Sequence, residues 1–152
     1  MTQPSYEVRV VDSPADREAC FTVRKAVFVV EQRVPEELEY DAYDSDASTA
    51  HVVAVGQDGP LGAGRLLVGP EGYGPETGKL GRLAVLESAR GLGVGVALVR
   101  AIETEAARRG CAEVVLYAQT SALGFYTRLG YEAYGPEFQE AGIPHQAMRR
   151  AL

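Results

Sequence analysis

Arg90-Gly91-Leu92-Gly93-Val94-Gly95 is the segment whose residue types and spacing can do the most chemistry. Glycines at alternate positions leave backbone N–H groups uncovered, and such groups at the positive end of a helix seat a phosphate or pyrophosphate. The helix follows directly: Val94, Leu98, Ile102 and Ala106 recur every four residues, the stripe of an amphipathic helix. Ahead of the loop, Lys79-Leu80-Gly81-Arg82-Leu83-Ala84-Val85-Leu86 ends in an apolar run and reads as a strand. Strand, glycine loop and helix together predict a site for a phosphorylated cofactor. A P-loop is excluded because the chain has no Gly-Lys-Ser/Thr tripeptide. A dinucleotide fold needs G-x-G-x-x-G and an acidic residue at the end of the next strand. Here the spacing is G-x-G-x-G, and the strand Ala112 to Ala118 ends Leu116-Tyr117-Ala118-Gln119.

A second constellation lies about thirty residues on, in Gln119-Thr120-Ser121-Ala122-Leu123-Gly124-Phe125-Tyr126-Thr127-Arg128-Leu129-Gly130-Tyr131. It reads as a short helix with Thr120 or Ser121 as N-cap and Gly130 as stop, placing Ala122, Phe125, Tyr126 and Leu129 on one face. In this order and separation the two segments resemble the signatures of the GCN5-related N-acetyltransferase (GNAT) superfamily, with Gln119 where many relatives have Asn. The resemblance implies acetyl-CoA as co-substrate. The loop Arg90, Gly91, Leu92, Gly93, Val94 and Gly95 would wrap its pyrophosphate, with Gly93 and Gly95 allowing close approach. The backbone of Leu83, Ala84 and Val85 would pair with the pantetheine arm, and an N–H near Val85 would meet the oxyanion. Tyr126 would be the general acid: a phenol with a pKa of about 10 keeps its proton at neutral pH and can donate to a thiolate of pKa about 8.5.

The elements that must position these residues alternate along the chain. Tyr6 to Val11 is a first strand, and Ser13-Pro14 caps a helix from Ala15 to Val30. Ala50–Val55 and Leu61–Val68 form a hairpin across Gln57-Asp58-Gly59-Pro60, and Gly69–Gly78 is a loop. After the glycine loop, long helix, strand and short helix, a loop containing Pro136, Gly142 and Pro144 leads to a last strand from Gln146 to Leu152. This order predicts one mixed α+β domain over residues 1–152, an α/β sandwich. By resemblance it is the acyl-CoA N-acyltransferase fold, a mostly antiparallel sheet flanked by helices.

At 152 residues the chain can bury a core, and no apolar run reaches the length of a membrane span. Met1-Thr2-Gln3-Pro4-Ser5 has no signal-peptide pattern, and Cys20 and Cys111 lack C-x-x-C spacing, so the expectation is a cytoplasmic protein with two reduced thiols. A net charge of −6 argues against nucleic acid as partner. A homodimer is left open.

The N-terminal half carries a further likeness. Arg24-x-x-Val27-Phe28-Val29-Val30-Glu31-Gln32-x-Val34-Pro35, then Glu39-x-Asp41-x-x-Asp44 and His51, with Gly142-Ile143-Pro144-His145-Gln146-Ala147-Met148, resembles the ElaA/YjcF-like branch. The carboxylates Glu31, Glu36, Glu37, Glu39, Asp41, Asp44 and Asp46 form either an acidic rim that draws in a cationic amine or a solvated surface loop. A calcium loop is a further reading, but Asp41-x-x-Asp44-x-Asp46 lacks the EF-hand's glycine and terminal glutamate, so no metal is expected. Glu31 is the favoured substrate contact. His51 and His145 can titrate near neutrality, and Arg24 and Arg82 either hold a substrate carboxylate or pair with the acids. The expected activity is acetyl transfer to a primary amine of a small molecule or an amino terminus. The alternative is an idle acyl-CoA-binding or sensing domain.

Overall fold

The computed structural model describes residues 5–152; Met1–Pro4, part of the polar N-terminal segment, lie outside the described residues. The strands are β1 Tyr6–Val10, β2 Ala50–Gly56, β3 Gly59–Val68, β4 Thr77–Val85, β5 Glu113–Gln119, β6 Glu132–Glu140 and β7 Ile143–Ala151. They form one sheet in the order β1-β2-β3-β4-β5-β7-β6. Neighbours run antiparallel except β4 and β5, which are parallel. A parallel pair requires a crossover, and α3, Val94–Arg108, supplies it.

The sheet is covered on both faces. The predicted stripe Val94, Leu98, Ile102 and Ala106 is fully buried and packs with Val52, Ala54, Leu66 and Leu116. The other face carries Val53, Ala63 and Ala84, which pack with Cys20, Val23 and Val27 of α1, Pro14–Arg24, and the turn after it. The alternation Val52-Val53-Ala54 between the two cores is the period-two pattern of a strand buried on both sides. Each fully buried Val, Leu or Ile contributes roughly 1.5–3 kcal/mol.

Ser13 caps α1 as expected, accepting from the Asp16 N–H at 3.2 Å with Pro14 in the first turn. The helix does not continue as α to Val30. From Lys25 to Glu31 it widens into a π-helix, closed where the Gln32 N–H donates to the Val27 carbonyl at 2.9 Å. Hairpin β2–β3 turns tightly on Gln57-Asp58, so Gly59 and Pro60 belong to the strand. Likewise Thr77 and Gly78 begin β4 rather than ending the loop.

Two further expectations are corrected. The short helix α4, Leu123–Arg128, follows a 3-10 turn at Thr120–Ala122, and neither Thr120 nor Ser121 caps it with a side chain. Gly130 does stop it: at φ +98 it lets the N–H groups of Gly130 and Tyr131 close on the carbonyls of Thr127 and Tyr126. The segment read as a loop around Pro136 is β6, paired with β7 through an irregularity between Tyr134 and Phe138 that accommodates Gly135 and Pro136. Edge strands tolerate proline there because no partner needs its missing N–H. Pro144 lies inside β7, and only Ala141-Gly142 remains as the turn.

Candidate active site

β4 and β5 hydrogen-bond from Thr77↔Glu113 to Leu80↔Leu116 and then part. The cause is local. Ala63 and Arg65 of β3 oppose Ala84 and Gly81, so a three-residue step on β4 faces a two-residue step on β3. Arg82 sits in this bulge at φ +53, a left-handed conformation that costs a non-glycine residue roughly 1–2 kcal/mol. The splay opens a cleft of about 660 Å³ lined on its two sides by Gly81–Val85 and Tyr117–Gln119.

The exposed edge of β4 has free backbone groups. The Leu86 N–H donates to the Leu61 carbonyl of β3 at 2.9 Å, so strand alternation turns the N–H and C=O of Val85, and of Leu83, toward the cleft. Arg90 Nε already donates to the Val85 carbonyl at 3.1 Å, which fits that orientation. Ala84 faces β3 instead, paired with Ala63, which corrects its expected share in holding a ligand along this edge. Beyond Val85 comes the glycine loop. Gly91 and Gly93 have φ +82 and +80, and Gly93 is the N-cap of the fifteen-residue α3. The need for glycine at 93 is conformational, since a Cβ there would meet only the Tyr6 hydroxyl at 3.7 Å. At 95 it is steric, since a Cβ would press on the Phe125 ring at 3.3 Å.

Tyr126 lines the cleft from α4, edge-on to Phe125 and Tyr131 at 5.0 and 5.9 Å. It is 7% exposed, and burial alone pushes its phenol well above the ordinary value. Arg90 and Glu31 also line the cleft and are bound to each other by two contacts of 2.8 and 2.6 Å.

The acidic segment is a solvated surface only in part: Glu36, Glu37 and Asp46 are exposed, but Glu39, Asp41 and Asp44 are drawn into ion pairs. It folds as α2, Glu36–Glu39, and a 3-10 turn, Ala42–Ser45, around three arginines. Arg24, 1% exposed, donates to Glu39 at 2.7 Å and to both oxygens of Asp44 at 2.6 and 3.0 Å. Arg65 donates to Asp41 at 2.7 and 2.8 Å and to Asp44 at 2.9 Å. Arg82 reaches Glu39 at 3.4 Å and Asp41 at 3.2 Å. Phe21 and Tyr40 flank the Arg24 guanidinium at 5.1 and 5.3 Å. Burial alone would raise the Asp41 and Asp44 carboxyls, but the arginines overcome it and hold both below the ordinary range. Three positive and three negative groups cancel, so Arg24 and Arg82 take the pairing role expected as the alternative to substrate binding. Arg24 and His51 stand outside the cleft lining; His51 is buried 3.3 Å from the Asp44 carbonyl, and burial lowers its pKa.

A family model described as an acetyltransferase (GNAT) domain matches residues 11–152. The chain belongs to the GNAT acetyltransferases. Among its relatives, the uncharacterized N-acetyltransferase YjcF of Bacillus subtilis is 42% identical over 131 residues, covering 86% of this chain and 89% of YjcF. An acyl-CoA N-acyltransferase from Pseudomonas aeruginosa superposes with a TM-score of 0.84 at 30% identity, over 97% of this chain and 100% of that one. Escherichia coli ElaA superposes with a TM-score of 0.84 at 27% identity, over 96% and 99%. The branch is therefore the ElaA/YjcF-like one, and the fold is that of the acyl-CoA N-acyltransferases.

The far end of this GNAT cleft joins His145 and Gln119, which the sequence did single out, to Lys79 and Tyr117, which it did not. Lys79 of β4 holds its ammonium 3.7 Å from the centroid of the Tyr117 ring, and burial lowers its pKa against the pull of Glu140. The Tyr117 hydroxyl lies 3.1 Å from that of Tyr73; this hydrogen bond, with burial, pushes Tyr117 up to about 12. Phe138 meets Tyr117 edge-on at 5.2 Å and stacks on His145 at 5.9 Å. His145 stands in β7, donating from Nδ1 to the Ile143 carbonyl at 2.7 Å, with Nε2 3.7 Å from Glu140. Gln119 closes the end of β5 by donating to Gln32 at 2.8 Å. Lys79 did carry one signal. A lysine in a parallel strand, where both faces are normally apolar, must point at a cavity or a partner.

Cys20 and Cys111 are free and buried; burial pushes Cys20 up to about 12 and raises Cys111, so neither is poised as a thiolate. No helix among the described residues is long and apolar enough to cross a membrane.

Proposed function

We propose that this chain is an acetyl-CoA-dependent N-acetyltransferase of the cytoplasm, acting on a primary amine of a small molecule or an amino terminus. The observation that carries the reading is one continuous track: the glycine loop, the open edge of β4 at Leu83 and Val85, and the Tyr126 hydroxyl all line or border one cleft. N–H groups of Gly91 to Gly95 and the Arg90 guanidinium suit a pyrophosphate. The edge of β4 suits the amide-bearing pantetheine arm, taken as an added strand.

The residues then divide the work. The amine's lone pair attacks the thioester carbon, the C–N bond forms and the C–S bond breaks. The Val85 N–H, fixed by β4, donates to the carbonyl oxygen as negative charge grows there. Tyr126 donates to the departing sulfur, and the proton shed by the nitrogen restores the phenol. Burial keeps Tyr126 protonated across the neutral range and at the same time makes it a weaker acid than a free phenol.

Tyr126→Phe keeps the ring packed against Phe125 and Tyr131 and removes only the hydroxyl. On an acceptor found by thiol-release screening of amines, kcat should fall roughly 10²–10⁴-fold, the usual worth of general acid–base catalysis. The acetyl-CoA dissociation constant should stay unchanged. Near-normal kcat in the variant would end the acid assignment. Binding of acetyl-CoA with no turnover across amines, polyamines, amino acids and peptides would favour a sensing domain.

A further inference from the structure

The charges around the cleft are matched except at one end. The three arginines and three carboxylates of the buried cluster cancel, and Arg90 is matched by Glu31. Lys79 has no such partner. Among the described residues no carboxylate lies within ion-pair distance of its ammonium, and no side chain or carbonyl takes its N–H donors; its contact is the Tyr117 ring. The opposing charge that acts on it most strongly, Glu140, stays half exposed beside His145.

An ammonium brings three donors. A cation–π contact anchors it but leaves its donors to water alone, and a half-buried charge without a counter-ion is unfavourable. The site could hold a leucine or methionine against Tyr117 without that penalty. Lys79 lines the same cleft as Tyr126 and Val85, so what completes it arrives with the substrate. Resting on the acetyltransferase reading above, we propose that the acceptor is an amine that also carries a carboxylate, bound by Lys79 at the far end of the cleft.

A carboxylate suits the site better than a phosphate, because one ammonium balances one negative charge and Glu140 repels a second. Spacing narrows the class further. Lys79 and Leu83 are four residues apart on one strand, at most about 13 Å at roughly 3.3 Å per residue and less across the bulge at Arg82. The amine and carboxylate of the acceptor must therefore be separated by several bonds, as in an ω-amino acid or a short peptide. Tyr117 and Ile143, which line the cleft, offer an apolar wall to the spacer between them.

The test is thiol release from acetyl-CoA with ω-amino acids of increasing length and di- and tripeptides, each beside its carboxamide. Wild type, Lys79→Met and Lys79→Arg are compared after their melting temperatures are matched. In wild type the acids should exceed their amides in kcat/KM by roughly 10–100-fold, the worth of a charge-assisted hydrogen bond. Lys79→Met should erase that preference through KM, leaving the amides' kcat and acetyl-CoA affinity unchanged, and Lys79→Arg should restore part of it. Equal rates for acids and amides in wild type, or an equal loss for both in Lys79→Met, would overturn the proposal. Turnover of no amine at all would instead count against the acetyltransferase reading. Calorimetric titration of the N-acetylated ω-amino acids then decides the Lys79 site separately: binding lost in Lys79→Met supports it, and no binding to wild type overturns it.

Discussion

The wall proposed for the cofactor borders the cleft and is made by consecutive residues, Arg90 to Gly95, whose left-handed glycines and N–H groups need little from the rest of the chain. The other wall is made by charge: Arg65 and Arg82, from β3 and β4, line the cleft and, with Arg24 of α1 behind them, fold the Glu36–Ser45 segment around themselves. Backbone geometry is set locally and tolerates loss of a side chain. A buried ionic cluster is all-or-none, since removing one member strands the others.

The sharpest break in that contrast is Arg24→Met. It leaves Glu39 and Asp44 short of a partner in a buried setting, and should cost about 3–5 kcal/mol in urea unfolding. Arg90→Met removes an equally short pair with Glu31 at the surface, and should cost no more than about 1 kcal/mol. Similar losses in the two variants would erase the distinction between the walls.

The backbone wall is tested through its ligand. Acetyl-CoA at a hundredfold excess over its dissociation constant should stabilise the fold by about 2.7 kcal/mol. Gly93→Glu places bulk and negative charge at φ +80 in the loop, and should abolish that ligand-induced rise in melting temperature. A rise of normal size in the variant would remove the loop from the cofactor site.

The ionic wall should respond to pH, which the backbone wall cannot. Asp41 and Asp44 are held below the ordinary carboxylate value of 3.8, so their contribution is complete above it and is lost as pH falls through their folded values. Each unit of depression is worth about 1.36 kcal/mol. Buried His51, its pKa lowered, should bring a small loss below about pH 6.5, and Glu39, which burial pulls upward, a compensating gain as it protonates. The decline from Asp41 and Asp44 should begin below about pH 4. Asp44→Asn should be less stable at pH 7 and show a shallower decline. An acid limb of the same slope in that variant would assign acid unfolding elsewhere.

The smallest effect concerns the contact joining the two walls. A pyrophosphate must compete with Glu31 for Arg90, so Glu31→Gln should tighten acetyl-CoA binding by up to about fivefold, the worth of an exposed ion pair. Weaker binding would make Glu31 a ligand contact rather than a competitor.

The same contrast explains what could be read in advance. β4, the glycine loop, α3, β5 and the Tyr126 helix were legible because their signals, a four-residue stripe and glycines between a strand and a helix, lie within a few residues of each other. The acidic segment was not, because the arginines that make Glu39, Asp41 and Asp44 structural lie 15 to 43 residues away along the chain. Lys79, Tyr117 and His145 come together only through strand register, Lys79↔Val115, Tyr117↔Ala147 and Gln119↔His145. β6 was hidden by Gly135 and Pro136, which mark a loop in most contexts and here sit in an edge-strand irregularity.

The β6–β7 hairpin has a consequence for how such a protein can diversify. β7 is zipped to β5 along its length, β6 lies at the rim of the sheet, and the tip contributes Glu140, Ala141, Ile143 and His145 to the end of the cleft proposed for the acceptor. Neither strand contributes a residue to the loop at Arg90–Gly95. Exchanging residues 132–151 for those of a paralogue would thus re-wall the acceptor end and leave donor binding intact. New specificities can then arise by recombination within one short stretch of a gene rather than by scattered substitution.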